Sequence, residues 1–300
     1  MLRYQPDEWM VHFVTTRCLQ SRYLLRPSPR VRSLIVGVLE RAAERTGCRL
    51  HAAVALSNHI HLVVSSRSAA HLADYMQFVN CNIAREVGKL HRWRDKFWQR
   101  RYQSGLCLDD ESQIDRLAYA LVQSVKERLV RSASHWPGLH TFRATCDGEK
   151  LHGHWVDRSA MYRASRRGDA VRESDFSTPC TLTLHKLPCW AHLGDATYAS
   201  EARRIYHDRL AELGVDQDTP VVGAKAVQRR DPHDAPRGSD HSPAPLCHAA
   251  AKVTRDAFRV QYIEFVTAYR EALAALRHNL DEFSIPEQGI PPGGLRAAPT

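Results

Sequence analysis

The chain has 300 residues, 43% hydrophobic and 25% charged, enough to bury a core in one or two domains and too balanced for a disordered or fibrous protein. No apolar run approaches the ~18 to 20 residues of a membrane span, and the N-terminus lacks the order of a signal peptide, which points to a soluble, cytoplasmic protein with no membrane partner. The formal net charge is +9, and all of it lies in residues 1–150, which hold 23 Lys+Arg against 14 Asp+Glu, while residues 151–300 hold 19 of each; such a regional excess favours a polyanionic partner such as nucleic acid.

Residues 9–16 (WMVHFVTT) are aromatic and β-branched and predict a first strand. Ser28-Pro29 then opens an amphipathic helix over about 29–46, which Gly47 stops. Two short strands, 49–56 and 59–65, are separated by the turn-prone pair Ser57-Asn58. A second helix carries Leu72, Tyr75, Met76, Val79, Ile83 and Val87 and ends at Gly88. After a basic aromatic stretch, Gln103 to Leu108 reads as a strand. Asp110 and Gln113 have the spacing of a capping box for a third helix over about 111–130. The order β, α, hairpin, α, β, α predicts an α+β fold: a ferredoxin-like or RRM-like antiparallel sheet with helices on one face.

Beyond about residue 147 the composition shifts, which divides the chain into an N-terminal domain, 1–147, and a mainly helical and irregular C-terminal extension, 148–300. Within the extension a short helix is expected near 195–213, a Pro/Asp/His-rich linker over about 223–248 and a last amphipathic helix over about 249–278. The eight cysteines form no CxxC pair and are expected to be reduced. Cys180, His185, Cys189 and His192 have a spacing superficially suited to zinc, but Pro179 and Pro188 break the segment and favour simple packing.

Two groups of residues carry candidate chemistry. In a strand, residues two apart share a face, so His59 and His61 project together while Ile60, Leu62 and Val64 face a core. Two neutral imidazoles make half of a divalent-metal site, and the same spacing also fits ordinary surface histidines. On the third helix Tyr119 and Gln123 lie one turn apart on one face. A glutamine oxygen can complete a two-histidine site for Mg²⁺ or Mn²⁺ beside the tyrosine, whereas a core tyrosine is the plainer reading. The stretch 88–102 (GKLHRWRDKFWQRRY) mixes six Lys/Arg with aromatics, the combination that neutralises phosphates and stacks unpaired bases. Arg92, Trp93, Arg94, Lys96, Arg100 and Arg101 are its candidate DNA contacts.

Taken together, "LSNHIHLVV" at 56–64 and "YALVQSVKERLV" at 119–130 resemble the HUH strand and tyrosine helix of the HUH single-tyrosine transposases, and within them the REP-associated tyrosine transposases. "FVTTR" at 13–17, "FWQRRY" at 97–102 and "WPGL" at 136–139 extend the resemblance over the first half of the chain. The segment from Ala226 to Pro245 is similar to a C-terminal extension of one proteobacterial branch. Where many relatives have Asn-Pro, this chain has Gln123-Ser124. The resemblance implies metal-dependent cleavage and rejoining of single-stranded, hairpin-flanked DNA of the REP-palindrome type, through a 5′-phosphotyrosine. It implies Tyr119 as nucleophile, His59, His61 and Gln123 as ligands of Mg²⁺ or Mn²⁺, and Lys126 as a further DNA contact, in a monomer or homodimer. The alternatives are a domesticated hairpin-DNA binder without productive cleavage and, on the same scaffold, an RNA-processing protein.

Overall fold

Strand segments with alternating side chains pair into a sheet only if each buried face finds a cover. In the computed structural model, which describes residues 2–215, 219–236, 245–277 and 289–290, the chain runs β1 (Arg3–Tyr4), β2 (Met10–Arg17), α1 (Pro29–Thr46), β3 (Arg49–Ala55), β4 (His59–Ser66), α2 (Ala69–Leu90), β5 (Gln103–Cys107) and α3 (Asp110–Lys126). It continues through α4 (Phe142–Asp147), β6 (His152–Val156), α5 (Arg158–Arg166), β7 (Ser177–Thr181), α6 (Asp195–Glu212), α7 (Ala224–Arg229), β8 (Cys247–His248), α8 (Lys252–Arg277) and β9 (Gly289–Ile290). The central sheet has the order β3-β4-β2-β5-β8. It is antiparallel except for β8, which lies parallel to β5. The fold is the expected α+β class.

Every residue of β4 is buried, so this strand needs cover on both sides. Leu50, Ala53, Ile60, Leu62 and Val64 pack against α1 and α2 through Ile35, Leu39, Leu72, Tyr75 and Met76. On the other side Val11, Phe13, Ala52 and Val63 meet Leu117, Ala118, Leu121 and Val122 of α3. The expectation of helices on one face therefore holds for α1 and α2, while α3 takes the opposite face, because the second row of β4 side chains is buried as well.

Helix ends follow from local chemistry. Ser28 accepts a hydrogen bond from the Val31 N–H at 3.2 Å, Pro29 follows it, and Gly47 closes α1 in the left-handed region at φ 77°. α3 starts one residue earlier than expected. Asp109, not Asp110, is the cap, and it accepts from the Ser112 N–H at 2.8 Å while Ser112 Oγ accepts from the Asp109 N–H. The same helix stops at Lys126 instead of 130, because Arg128 turns to φ 51° and the N–H groups of Leu129 and Val130 both return to the Ser124 carbonyl. Leu129 and Val130 then leave the helix stripe and pack with Leu56 and Trp136.

The chain after residue 147 returns to this sheet. The antiparallel β6–β7 pair lies on α1, where glycine is required at Gly37 because a Cβ would collide with the His154 carbonyl. Arg158 of α5 donates from Nε to the buried carboxylate of Glu86 on α2 at 2.9 Å. α6 covers α3 through Ala202, Ile205 and Tyr206. Within the stretch 223–248, Ala224–Arg229 form α7, the Asp234 carbonyl accepts from the Tyr23 N–H, and residues 237–244 lie outside the described residues. Among the described residues no helix is long and apolar enough to cross a membrane.

Candidate active site

The β4 row facing α3 carries His59 and His61, each 6% exposed. Their ring centroids lie 4.7 Å apart with the planes nearly perpendicular. In the antiparallel register His59 stands opposite Arg17 and His61 opposite Thr15. His59 Nδ1 lies 2.7 Å from Asn58 Oδ1, and Asn58 Nδ2 donates to the Ser21 carbonyl at 3.1 Å. That second bond orients the amide, so Oδ1 is the acceptor, His59 carries its proton on Nδ1, and Nε2 keeps its lone pair. His61 Nδ1 pairs with Thr15 Oγ1 at 2.8 Å, and its Nε2 is buried with no hydrogen-bond partner.

Electrostatics holds both rings neutral. Burial lowers His59 to about 3, with the positive charges of Arg17 and Lys126 acting in the same direction. Burial also holds His61 well below its ordinary value, assisted by His59, Lys126, Arg17 and Arg116. At neutral pH the site thus presents imidazole lone pairs in a positive surrounding.

α3, which packs on this face, carries the other two residues. Tyr119, half-buried, stands edge-on to His61 at 5.9 Å and to Phe13 at 5.5 Å, and Phe13 in turn stacks on His61 at 5.2 Å. Lys126 Nζ donates to Tyr119 Oη at 2.9 Å, and the Arg116 guanidinium lies 4.7 Å from the phenol ring centre. Gln123 is 1% exposed, and its carboxamide nitrogen has no partner. Since the two ends of such an amide are interchangeable by a flip, either can face inward.

A buried imidazole nitrogen without a partner and a buried carboxamide nitrogen without one are costly unless something meets them. Two neutral imidazoles and an amide oxygen form a donor set suited to a hard divalent cation, and the Nδ1 bonds to Asn58 and Thr15 are the outer support such ligands require. The residue types present therefore fit a divalent cation.

Several contributors were not singled out from the sequence. Thr15 and Asn58 orient the imidazoles; the first is visible only once the β2–β4 register is known, the second only as the residue before His59. Arg116 sits one turn before Tyr119, a spacing that could have been read from the helix. His248 reaches this face from β8: it meets Phe13 edge-on at 5.9 Å beside Gly105, where a Cβ would fall 2.7 Å from the imidazole. Lys126, expected among the DNA contacts, is placed directly at the phenol oxygen.

The basic stretch divides. Phe97 and Tyr102 are core residues, and half-buried Trp98 donates from Nε1 to the Asn80 carbonyl at 2.9 Å. Arg92, Arg94, Lys96, Arg100 and Arg101 are exposed, while Trp93 is half-buried with His233 5.5 Å from its ring. Backbone bonds from Leu19 to Phe97 and from Gln99 to Arg17 lay this segment against the end of the sheet that carries His59. Cys180 and Cys189 are not brought together: the first packs with the core under α1 and α2, the second with the core under α3.

No curated protein matches the chain. Among solved structures, a REP-associated tyrosine transposase bound to a REP hairpin aligns over 47% of this chain and 81% of its own, with 16% identity and a TM-score of 0.40. A protein from Deinococcus radiodurans assigned as a transposase aligns over 37% of this chain and 88% of its own, with 14% identity and a TM-score of 0.30. The family model described as "Transposase IS200 like" matches residues 7–119, from ahead of β2 to the tyrosine of α3. This segment, which holds His59, His61 and Tyr119, is similar to the IS200-like transposases over somewhat more than a third of the chain.

Proposed function

We propose that the protein cleaves and rejoins single-stranded DNA beside a hairpin, with Tyr119 as nucleophile. The observation that carries this reading is the meeting, on one sheet face, of a tyrosine whose oxygen is held by Lys126 with two neutral imidazoles, one of which has an unpartnered Nε2. Tyr119 Oη attacks the phosphorus, the bond to the 3′-oxygen breaks, and the phosphate stays on the tyrosine as a 5′-phosphodiester. The phenol proton leaves to water, and the departing 3′-oxygen takes one up as a hydroxyl. The reaction needs no nucleotide cofactor, because one phosphodiester replaces another and the released 3′-hydroxyl can reverse the step.

His59, His61 and Gln123 would hold Mg²⁺ or Mn²⁺, which as a Lewis acid polarises the scissile phosphate. Asn58 and Thr15 keep the imidazole lone pairs directed inward. Lys126 fixes the attacking oxygen and, with Arg116, places positive charge where the pentavalent phosphate gathers negative charge. Phe13 walls the base of the site against water. The exposed Arg92, Arg94 and Lys96, with Trp93, provide the path for the strand at the His59 end of the sheet, and Arg100 and Arg101 continue it toward the opposite face.

The test is incubation with Mn²⁺ and 5′-labelled hairpin single strands. Cleavage is expected in the native chain and its loss in both His59→Ala and Tyr119→Phe. Full activity in Tyr119→Phe, with loss in His59→Ala, would overturn the assignment of the nucleophile and leave the metal site in place.

A further inference from the structure

On the opposite face of the sheet from His59 and His61, between β1, β5 and α8, lies a cavity of about 460 Å³, within the size range of small-molecule sites. Its wall carries three arginines, Arg3, Arg100 and Arg101, and no acidic side chain. None of the three makes an ion pair among the described residues. Arg3 is fixed in place: its guanidinium lies 3.2 Å from the centre of the Tyr102 ring, and Nη2 donates to the Tyr102 carbonyl at 2.9 Å. Its Nη1 is buried and has no partner. The Tyr102 side chain is only 7% exposed, and its hydroxyl is also buried without a partner. Tyr4 and Phe258 add aromatic surface to the same wall.

A fixed, half-buried guanidinium without a counter-charge is unfavourable by itself. Burial, and Arg101 nearby, lower Arg3 to about 8, the mark of positive charge held without compensation. An anion with several acceptor oxygens would satisfy Arg3 Nη1, the Tyr102 hydroxyl and Arg101 together. Inorganic phosphate alone would leave the aromatic wall bare, whereas a planar ring attached to the phosphate would cover it. We propose that this cavity binds a nucleoside monophosphate unit, its phosphate on Arg3 and Arg101 and its base among Tyr4, Tyr102 and Phe258. Only the choice of a nucleotide among aromatic phosphates rests on the DNA-processing reading; the cavity and its unpaired charges do not. The phosphate has two sources, the 5′-phosphorylated end of a DNA strand or a free nucleotide.

Calorimetric titration of the full chain with dAMP tests the proposal. Saturable binding is expected, at least about tenfold weaker for deoxyadenosine, which lacks the phosphate, and at least about tenfold weaker for Arg3→Gln. Tyr102→Phe, which removes one oxygen from a core side chain, is expected to bind about threefold more weakly and guards against misfolding of the first variant. A 5′-phosphorylated hexanucleotide that displaces dAMP assigns the site to a strand end; dAMP binding that the hexanucleotide leaves untouched assigns it to a free nucleotide. No saturable heat with dAMP at millimolar concentration, or a folded Arg3→Gln chain with native affinity, would overturn the proposal. A chain that binds dAMP and cleaves no DNA would sink the reaction proposed above and leave this site standing.

Discussion

β4 has two faces with opposite accounts to settle. Ile60, Leu62 and Val64 bury apolar surface against α1 and α2, so that face contributes stability even though the Tyr75 hydroxyl is buried there without a partner. At the alternate positions of the same strand, His59 and His61 are also buried, yet His61 keeps a nitrogen with no partner, and Gln123 on α3 keeps a carboxamide nitrogen in the same condition. The second face gives up stability that the first supplies. Unspent hydrogen-bonding capacity beside the positive charges of Arg17, Arg116 and Lys126 suits the phosphate of the proposed reaction.

If that division is right, substitutions on the two faces separate activity from stability. His61→Ala should lower cleavage by about a thousandfold or more and abolish calorimetric Mn²⁺ binding, while changing unfolding free energy by no more than about 1 kcal/mol, since it removes an unsatisfied group along with a buried ring. Leu62→Ala should do the reverse. It should cost about 2 to 5 kcal/mol in urea unfolding, the usual range for a leucine cut from a packed core, and leave Mn²⁺ affinity of the folded fraction unchanged. Equal stability losses in the two variants would erase the contrast.

Protons sharpen the same comparison, because buried histidines also lie outside the site. Burial lowers His12 to about 3, His51 to about 4 and His140 to about 3. These rings stay neutral in the folded chain, while the unfolded chain protonates them below the ordinary value of 6.5. Stability is therefore intact above about pH 6.5 and falls as the pH drops from there toward the folded values, by about 1.4 kcal/mol per pH unit for each histidine. Urea unfolding between pH 7.5 and 5 should show this slope, and His12→Gln should flatten it by one histidine's share. The smallest expected effect concerns the strand path: neutralising Arg92, Arg94, Arg100 and Arg101 should flatten the dependence of log affinity on log salt by about 0.7 per lost contact. An unchanged slope in the quadruple variant would place the DNA elsewhere.

Much of this architecture was legible because its signals are local. α1 runs over the expected residues since both ends are written in the chain, Ser28-Pro29 at one and Gly47 at the other. His59 and His61 share a face through strand alternation alone, and Tyr119 and Gln123 through helix pitch. The early end of α3 was hidden, because a non-glycine residue, Arg128, takes the left-handed turn. The second helical layer was hidden too, because histidines read as polar in sequence while the fold buries them. Thr15, His248 and Arg3 depend on register and on long-range pairing, β2 with β4, β8 with β5 and the N-terminal strand beside Tyr102, none of which leaves a local trace.

The central claim is that Tyr119, on the less stable face, becomes covalently joined to DNA. Mass spectrometry of the proteolysed protein after incubation with Mn²⁺ and a hairpin single strand tests it most directly. The account predicts a nucleotide attached through phosphate to the peptide containing Tyr119, absent in Tyr119→Phe. An adduct on any other residue, or one that persists in Tyr119→Phe, would contradict it.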